Sequence, residues 1–318
     1  MTQLLEVLDN ALLQGLTYGI AIAGIALSLR ILKYPDLTAD GSFLLGACTF
    51  AATTYSGAHW SVAYLMSALV GCASGLLTAG LHFIVGVNRL LTGVLSTMIL
   101  YSVAFRILGG RSNLSLTDTV GVFSVAESLD YRYAPAGTLL HPVSLLVTVG
   151  IAIMAWSGMS FLLRSDLGLL LRAIGGNGRL TSSLGRSVPI FTALGLAACN
   201  SLVGFTGALI ASRQGFADVN MGTGVVIVLI AALIVGEECS RLVRLDPAAS
   251  VFRRASAPFI GGVIYFLLYL LVLRASLLGL LPFVIQPTDL RVLSALVLVI
   301  TIGLRAIRGK SDEELFPV

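Results

Sequence analysis

Tyr34-Pro35-Asp36-Leu37-Thr38-Ala39-Asp40-Gly41-Ser42 breaks an otherwise apolar run, following one long hydrophobic block (8 to 29) and opening a shorter one (41 to 56). A second stretch, Phe216-Ala217-Asp218-Val219-Asn220-Met221-Gly222-Thr223-Gly224, repeats the order: an aromatic two residues before Asp, a branched apolar residue after it, then small and polar residues including glycine. The second stretch also follows a long block (189 to 212) and opens a short one (222 to 236). Two aspartates in the first nine-residue break and one in the second would be ordinary in water; at hydrocarbon depth they require an explanation.

The chain around them is built for lipid. Of its 318 residues, 57% are hydrophobic and 11% charged, and its mean hydropathy is +0.95. A soluble domain carries about 25% charged residues, so there is too little charge here for a water-facing surface. Disordered, collagenous and disulfide-rich secreted classes are excluded on the same composition. The expected class is an all-α integral membrane protein. Cys48, Cys72 and Cys199 in apolar blocks and Cys239 in a charged loop form no CxxC pair and read as small packing residues.

Blocks long enough for about 30 Å of hydrocarbon fall at 8 to 29, 41 to 56, 61 to 87, 91 to 108, 143 to 163, 189 to 212, 222 to 236, 257 to 276 and 291 to 308. The second and seventh are short and read as half-helices. The first ten residues carry Glu6 and Asp9 but no Lys or Arg, so a cleavable signal peptide is not expected. With the N-terminus outside and the C-terminus in the cytoplasm, the cytoplasmic loops and tail hold 14 of the 20 basic residues, as the positive-inside rule requires. The net charge of +4 is thus a topology signal spread over loops, not a nucleic-acid patch. The outer segment from about 109 to 142, with Asp118, Glu127, Asp130 and Pro135, reads as a docking surface.

In this orientation the long blocks preceding the two breaks run in opposite directions. The halves, about 1–110 and 189–310 of one permease domain covering 1–318, are then related by inversion, with 143 to 163 as an insert. Inverted repeats with broken helices at equivalent places mark the pathway in many transporters, since irregular backbone survives there only where protein or water satisfies it. A carboxylate stranded in lipid costs roughly 2.5–3.5 kcal/mol on insertion scales, so Asp36, Asp40 and Asp218 face a hydrated path or sit at an interface. The breaks therefore supply the expected pathway residues: Asp36, Thr38, Asp40, Ser42, Phe43, Phe216, Asp218, Asn220 and Thr223. Taken singly, Asp40 and Asn220 read equally well as N-caps of the helices that follow them.

Residues 164 to 188 read as a helical extension through Arg172, a Gly175-Gly176-Asn177-Gly178 break, a helix of about two turns and a stop at Gly185. A short helix flanked by Arg172, Arg179 and Arg186 suits insertion into a partner's groove; a basic loop serving topology or anionic lipid is the plainer alternative. GxxxxGK[ST] is absent, so energy from a nucleotide would have to enter through another chain. No HExxH or GxSxG occurs, and His59, His82 and His141 are isolated, which removes support for hydrolase or metalloenzyme chemistry. Gly71, Gly75 and Ala79 share one face of the third block, a close-packing face. An ion-coupled secondary transporter shares the broken helices but usually needs an ionisable cluster deep in a span.

The chain resembles the permease subunits of bacterial ABC importers in the branched-chain amino acid and ribose permease superfamily, closest to a subgroup labelled as tryptophan or uncharacterised-substrate permeases. The matching motifs are Arg30 through Phe43, Leu171-Arg172-Ala173-Ile174-Gly175-Gly176-Asn177, Arg213 through Gly222, and Pro287-Thr288-Asp289-Leu290-Arg291. The resemblance implies an importer-like fold, a second permease copy, two cytoplasmic ATPase subunits carrying the ATP and Mg, an external solute-binding protein, and no cofactor or metal on this chain. It places the protein in the bacterial inner membrane and makes 164 to 188 the coupling loop. Arg172, Asn177, Gly178, Arg179, Leu180, Thr181, Ser182, Leu184 and Gly185 are the implied ATPase-contact residues. Family members usually carry an acidic residue and alanines after the break, whereas this chain has Arg179-Leu180-Thr181-Ser182-Ser183. In an alternating-access cycle of this type, Phe43 and Phe216 are the expected gate and Arg111, Arg132 and Arg213 the expected docking cations. The implied solute is a small organic molecule, an amino acid above all, aromatic or branched-chain, with a nucleoside as the alternative.

Overall fold

The computed structural model describes residues 2–116, 121–133, 141–242 and 251–277, and beyond them only the helical positions 292, 295, 296, 299 and 303. Its helices follow the apolar blocks closely. They are α1 (Thr2–Ala26, continued by a π-helical turn, Leu27–Ile31), α2 (Ala39–Tyr55), α3 (Trp60–Phe83), α4 (Arg89–Ile107), α5 (Val122–Tyr133), α6 (Pro142–Arg164), α7 (Asp166–Ser183), α8 (Val188–Gln214), α9 (Val225–Leu242) and α10 (Val251–Leu277). Six are long and apolar enough to cross a membrane, and α2 and α9 are the two shorter helices at the breaks. The block 291 to 308 and the Pro287–Arg291 motif lie outside the described residues, save for five positions of the block. Large apolar side chains such as Met98 on α4 and Leu146, Met154 and Phe161 on α6 face outward, the pattern of a helical body solvated by lipid.

Local chemistry sets the helix ends. His59 accepts from the Ser61 N–H ahead of α3, and Asn88 accepts from the Leu90 N–H ahead of α4. Pro142 and Pro189 sit in the first turns of α6 and α8, where a missing N–H costs nothing. The long helices pack antiparallel. Gly24 of α1 meets Cys199 of α8 while Arg213, near the end of α8, reaches Asn10 near the start of α1. The expected small-residue face of α3 is used: a Cβ at Gly71 or Gly75 would overlap backbone carbonyls of α8. A similar close contact lets α10 lie along α1, with Gly262 against Gly15.

A two-stranded antiparallel ribbon, β1 (Asn113–Ser115) with β2 (Phe216–Asp218), joins the ends of α4 and α8. The outer segment also contains α5, a helix hidden from a hydropathy reading by its polar composition. It is anchored through buried Asp130, which accepts from the Val143 and Ser144 N–H groups and the Ser144 hydroxyl. Burial raises the Asp130 carboxyl, but these hydrogen bonds and His141 outweigh it and hold it below the ordinary aspartate range. Cys239 lies within α9, not in a loop, and all four cysteines are free thiols.

Candidate functional site

The two breaks share one local device. Asp36 Oδ1 accepts from the Thr38 N–H at 2.9 Å, and Asp218 Oδ1 accepts from the Asn220 N–H at 2.7 Å. An Asp side chain bonding the backbone two residues on is an Asx turn, which redirects the chain without a helical hydrogen bond. Equivalent residues of the two stretches therefore make equivalent turns.

The breaks then meet. Asp40, in the first turn of α2, accepts from the Gly224 N–H at 3.0 Å and the Val226 N–H at 2.7 Å. It does not cap its own helix: Thr38 holds the N-cap position of α2, with no side-chain bond to it. Its carboxylate serves the free N–H groups and positive dipole end of α9 instead. Gly222 fits because any Cβ there would overlap the Asp40 carbonyl. Among the described residues the Asn220 side chain caps no helix; it is exposed, and its own N–H goes to Asp218.

Behind this junction lies a closed polar network. Asp36 Oδ2 accepts from Asn200 Nδ2 at 2.6 Å, Ser42 donates to Asn200 Oδ1 at 2.6 Å, and the Ser42 and Ser74 hydroxyls are 2.5 Å apart. The Thr38 hydroxyl lies 2.7 Å from that of Thr78, which donates to Ser96. Asp36, Thr38, Ser42 and Asn200 are all buried. Such a network rigidifies the start of α2 because each buried polar group is answered by another.

The expected pathway residues thus divide. Asp36, Thr38 and Ser42 are inside the network, and Phe43 is buried and stacked 5.9 Å from Tyr18. Phe216, Asn220 and Thr223 are exposed, while Asp40 and Asp218 are half-buried. Phe43 and Phe216 differ in the same way, one closed in the core and one on the ribbon. Of the expected docking cations, Arg111 is exposed, Arg213 donates to Asn10 at 3.2 Å, and the side chain of Arg132 lies outside the described residues.

At the opposite end of α8 from the ribbon, α7 kinks at Asn177, whose φ of −155° and ψ of 93° leave the helix. Asn177 Oδ1 accepts from the Leu180 N–H and its carbonyl from the Thr181 hydroxyl, so the residue that ends one helix caps the next. Leu184 closes the short helix and Gly185, at φ 77°, turns the chain away. Arg172 is turned inward, donating to the carbonyls of Leu163 and Gly168. Thr181 is buried, while Arg179, Ser182 and Gly185 are exposed, as are Leu180 at 58% and Leu184 at 73%. Gly178 is half-buried.

Two residues outside the expected set also belong here. Asn200 completes the network and was visible as an amide in the middle of an apolar block. Glu237 of α9 takes a two-pronged grip from Arg30, with Nε to Oε1 and Nη2 to Oε2 both 2.7 Å. A carboxylate in a short apolar helix is the corresponding signal. Among the described residues no group of three or more His, Cys, Asp or Glu is placed to hold a metal ion.

The profile of the family described as "Branched-chain amino acid transport system / permease component" matches residues 7–302. The chain is 31% identical over 291 residues to a "Tyrosine transport system permease protein" of Clostridioides difficile (strain R20291), covering 91% of this chain and 88% of the relative. It is 33% identical over 301 residues to an uncharacterised protein of Rickettsia prowazekii (strain Madrid E), covering 94% of this chain and 98% of that one. No solved structure matches it. A multi-pass helical body with two short helices joined end to end, matched over nearly its whole length by this profile, belongs to the family of branched-chain amino acid transport permease components.

Proposed function

We propose that the chain is the translocation subunit of an ATP-driven importer that moves an amino acid into the cytoplasm by alternating access. It works in the bacterial inner membrane, N-terminus outside and C-terminus inside, as a pair of permease copies with two cytoplasmic ATP-binding subunits and an external solute-binding protein. Hydrolysis, with its ATP and Mg, belongs to those ATP-binding subunits, and this chain is not itself an enzyme. The observation that carries the reading is the capped short helix of α7. It presents Leu180 and Leu184, one turn apart, together with Arg179 at the end of the molecule away from the ribbon. Two apolar knobs with a basic flank form a compact key for a groove on an ATPase subunit, and the orientation above puts them in the cytoplasm.

In this reading Phe216, Asn220 and Thr223 line the path, while Asp36, Thr38, Ser42 and Phe43 hold α2 behind it. Arg111 and Arg132 offer positive charge to the solute-binding protein, and Arg213 braces the outer end of α1. The tyrosine in the relative's name favours an aromatic amino acid as solute, with branched-chain amino acids next. Replacing residues 178 to 185 by a Gly/Ser linker tests the proposal. Solute-stimulated ATP hydrolysis and uptake by the reconstituted complex should both disappear; their survival would refute the role given to α7.

A further inference from the structure

Four contacts link α7 to α9. Gly175 of α7 lies directly on the Ile31 carbonyl, where any side chain would overlap it. Ile31 ends the π-helical turn Leu27–Ile31, closed by the Leu32 N–H to the Leu27 carbonyl at 3.0 Å. π-Turns interrupt the regular helical ladder and are frequent at functional places. The same turn carries Arg30, which grips Glu237 of α9 with side chains 23% and 13% exposed. Finally, α9 is held at its other end by Asp40, about 16 Å away at 1.5 Å per residue.

The interrupted segment between Arg30 and Asp40 is therefore fastened to α9 at both of its ends, and α7 bears on that segment at Ile31. We infer that the Arg30–Glu237 pair is the link through which displacement of α7 reaches α9, making Arg30 and Glu237 positioning residues for transport. The inference rests on the function proposed above and adds to it a named transmission point. A lone Lys at position 30 would keep the charge but not the planar two-pronged geometry. A half-shielded pair of this kind holds two elements in register far better than an exposed one.

The test uses the whole complex in proteoliposomes, with three readouts: assembly with the ATPase subunits, ATP hydrolysed, and solute taken up. Glu237→Gln and Arg30→Ala should assemble and hydrolyse ATP at near-parental rates while uptake per ATP falls by about tenfold, the scale of one charge-assisted hydrogen bond. The exchange Arg30→Glu with Glu237→Arg should recover most of that ratio. Should the single variants fail to accumulate, Arg30→Lys carries the test, with uptake per ATP expected about threefold lower in a fully assembled complex. A parental ratio in the single variants or in Arg30→Lys would overturn the link, as would an exchange variant no better than either single one. Failure of the unmodified complex to show ATP-driven uptake would instead defeat the functional reading on which the link rests.

Discussion

Replacing Asp40 with alanine should lower uptake by about 30-fold, the population factor for roughly 2 kcal/mol lost at a helix N-terminus. One carboxylate serves two N–H groups of α9 here, those of Gly224 and Val226. Without it, both donors are left in a half-buried junction where water replaces them poorly. The positive end of the α9 dipole also loses its counter-charge. Because Asp40 sits on α2 and its partners open α9, the substitution separates the two broken helices and leaves the body of the protein in place. Abundance in the membrane and assembly with ATPase subunits should therefore hold while uptake falls. Asp40→Asn keeps one acceptor and should fall between the parent and Asp40→Ala. Near-parental uptake by Asp40→Ala would show that the end-to-end contact has no part in transport.

The second large effect is on stability. Asn200→Leu removes the donor to Asp36 Oδ2 and the acceptor for Ser42 in one step. Each buried polar group left without a partner costs about 1–3 kcal/mol, and more when it is charged. The variant should therefore lose roughly 3 kcal/mol and unfold in detergent several degrees below the parent, with much lower membrane abundance. Asn200→Asp should do no better, because it sets a second carboxylate 2.6 Å from the first. An unfolding temperature unchanged in Asn200→Leu would mean that the network does not support α2.

These two residues show how far the sequence reaches. Eight apolar blocks were recognisable because hydrocarbon thickness sets their length, and the α7 kink because glycines weaken a helix and Asn caps well; the kink is confined to Asn177, narrower than the four-residue break expected. The matched breaks were visible as repeated residue order, and Asp36 and Asp218 make the same Asx turn. What Asp40 caps was not visible, since a side chain at the start of one helix ordinarily serves that helix. Only the folded chain brings the start of α9 to it. Asn200 left a clear trace, one amide inside the block 189 to 212, but its partners lie 158 and 164 residues away in sequence. The α5 helix left little trace, because its buried apolar face is only Phe123 and Ala126 and the backbone groups that Asp130 anchors to lie in a separate segment.

Reconstitution separates the proposal from its nearest rival. The purified chain in liposomes should move no amino acid under a proton or sodium gradient. It should accumulate solute once ATPase subunits, solute-loaded binding protein and ATP are added. Gradient-driven uptake by the chain alone would contradict the assignment and return the protein to the ion-coupled class.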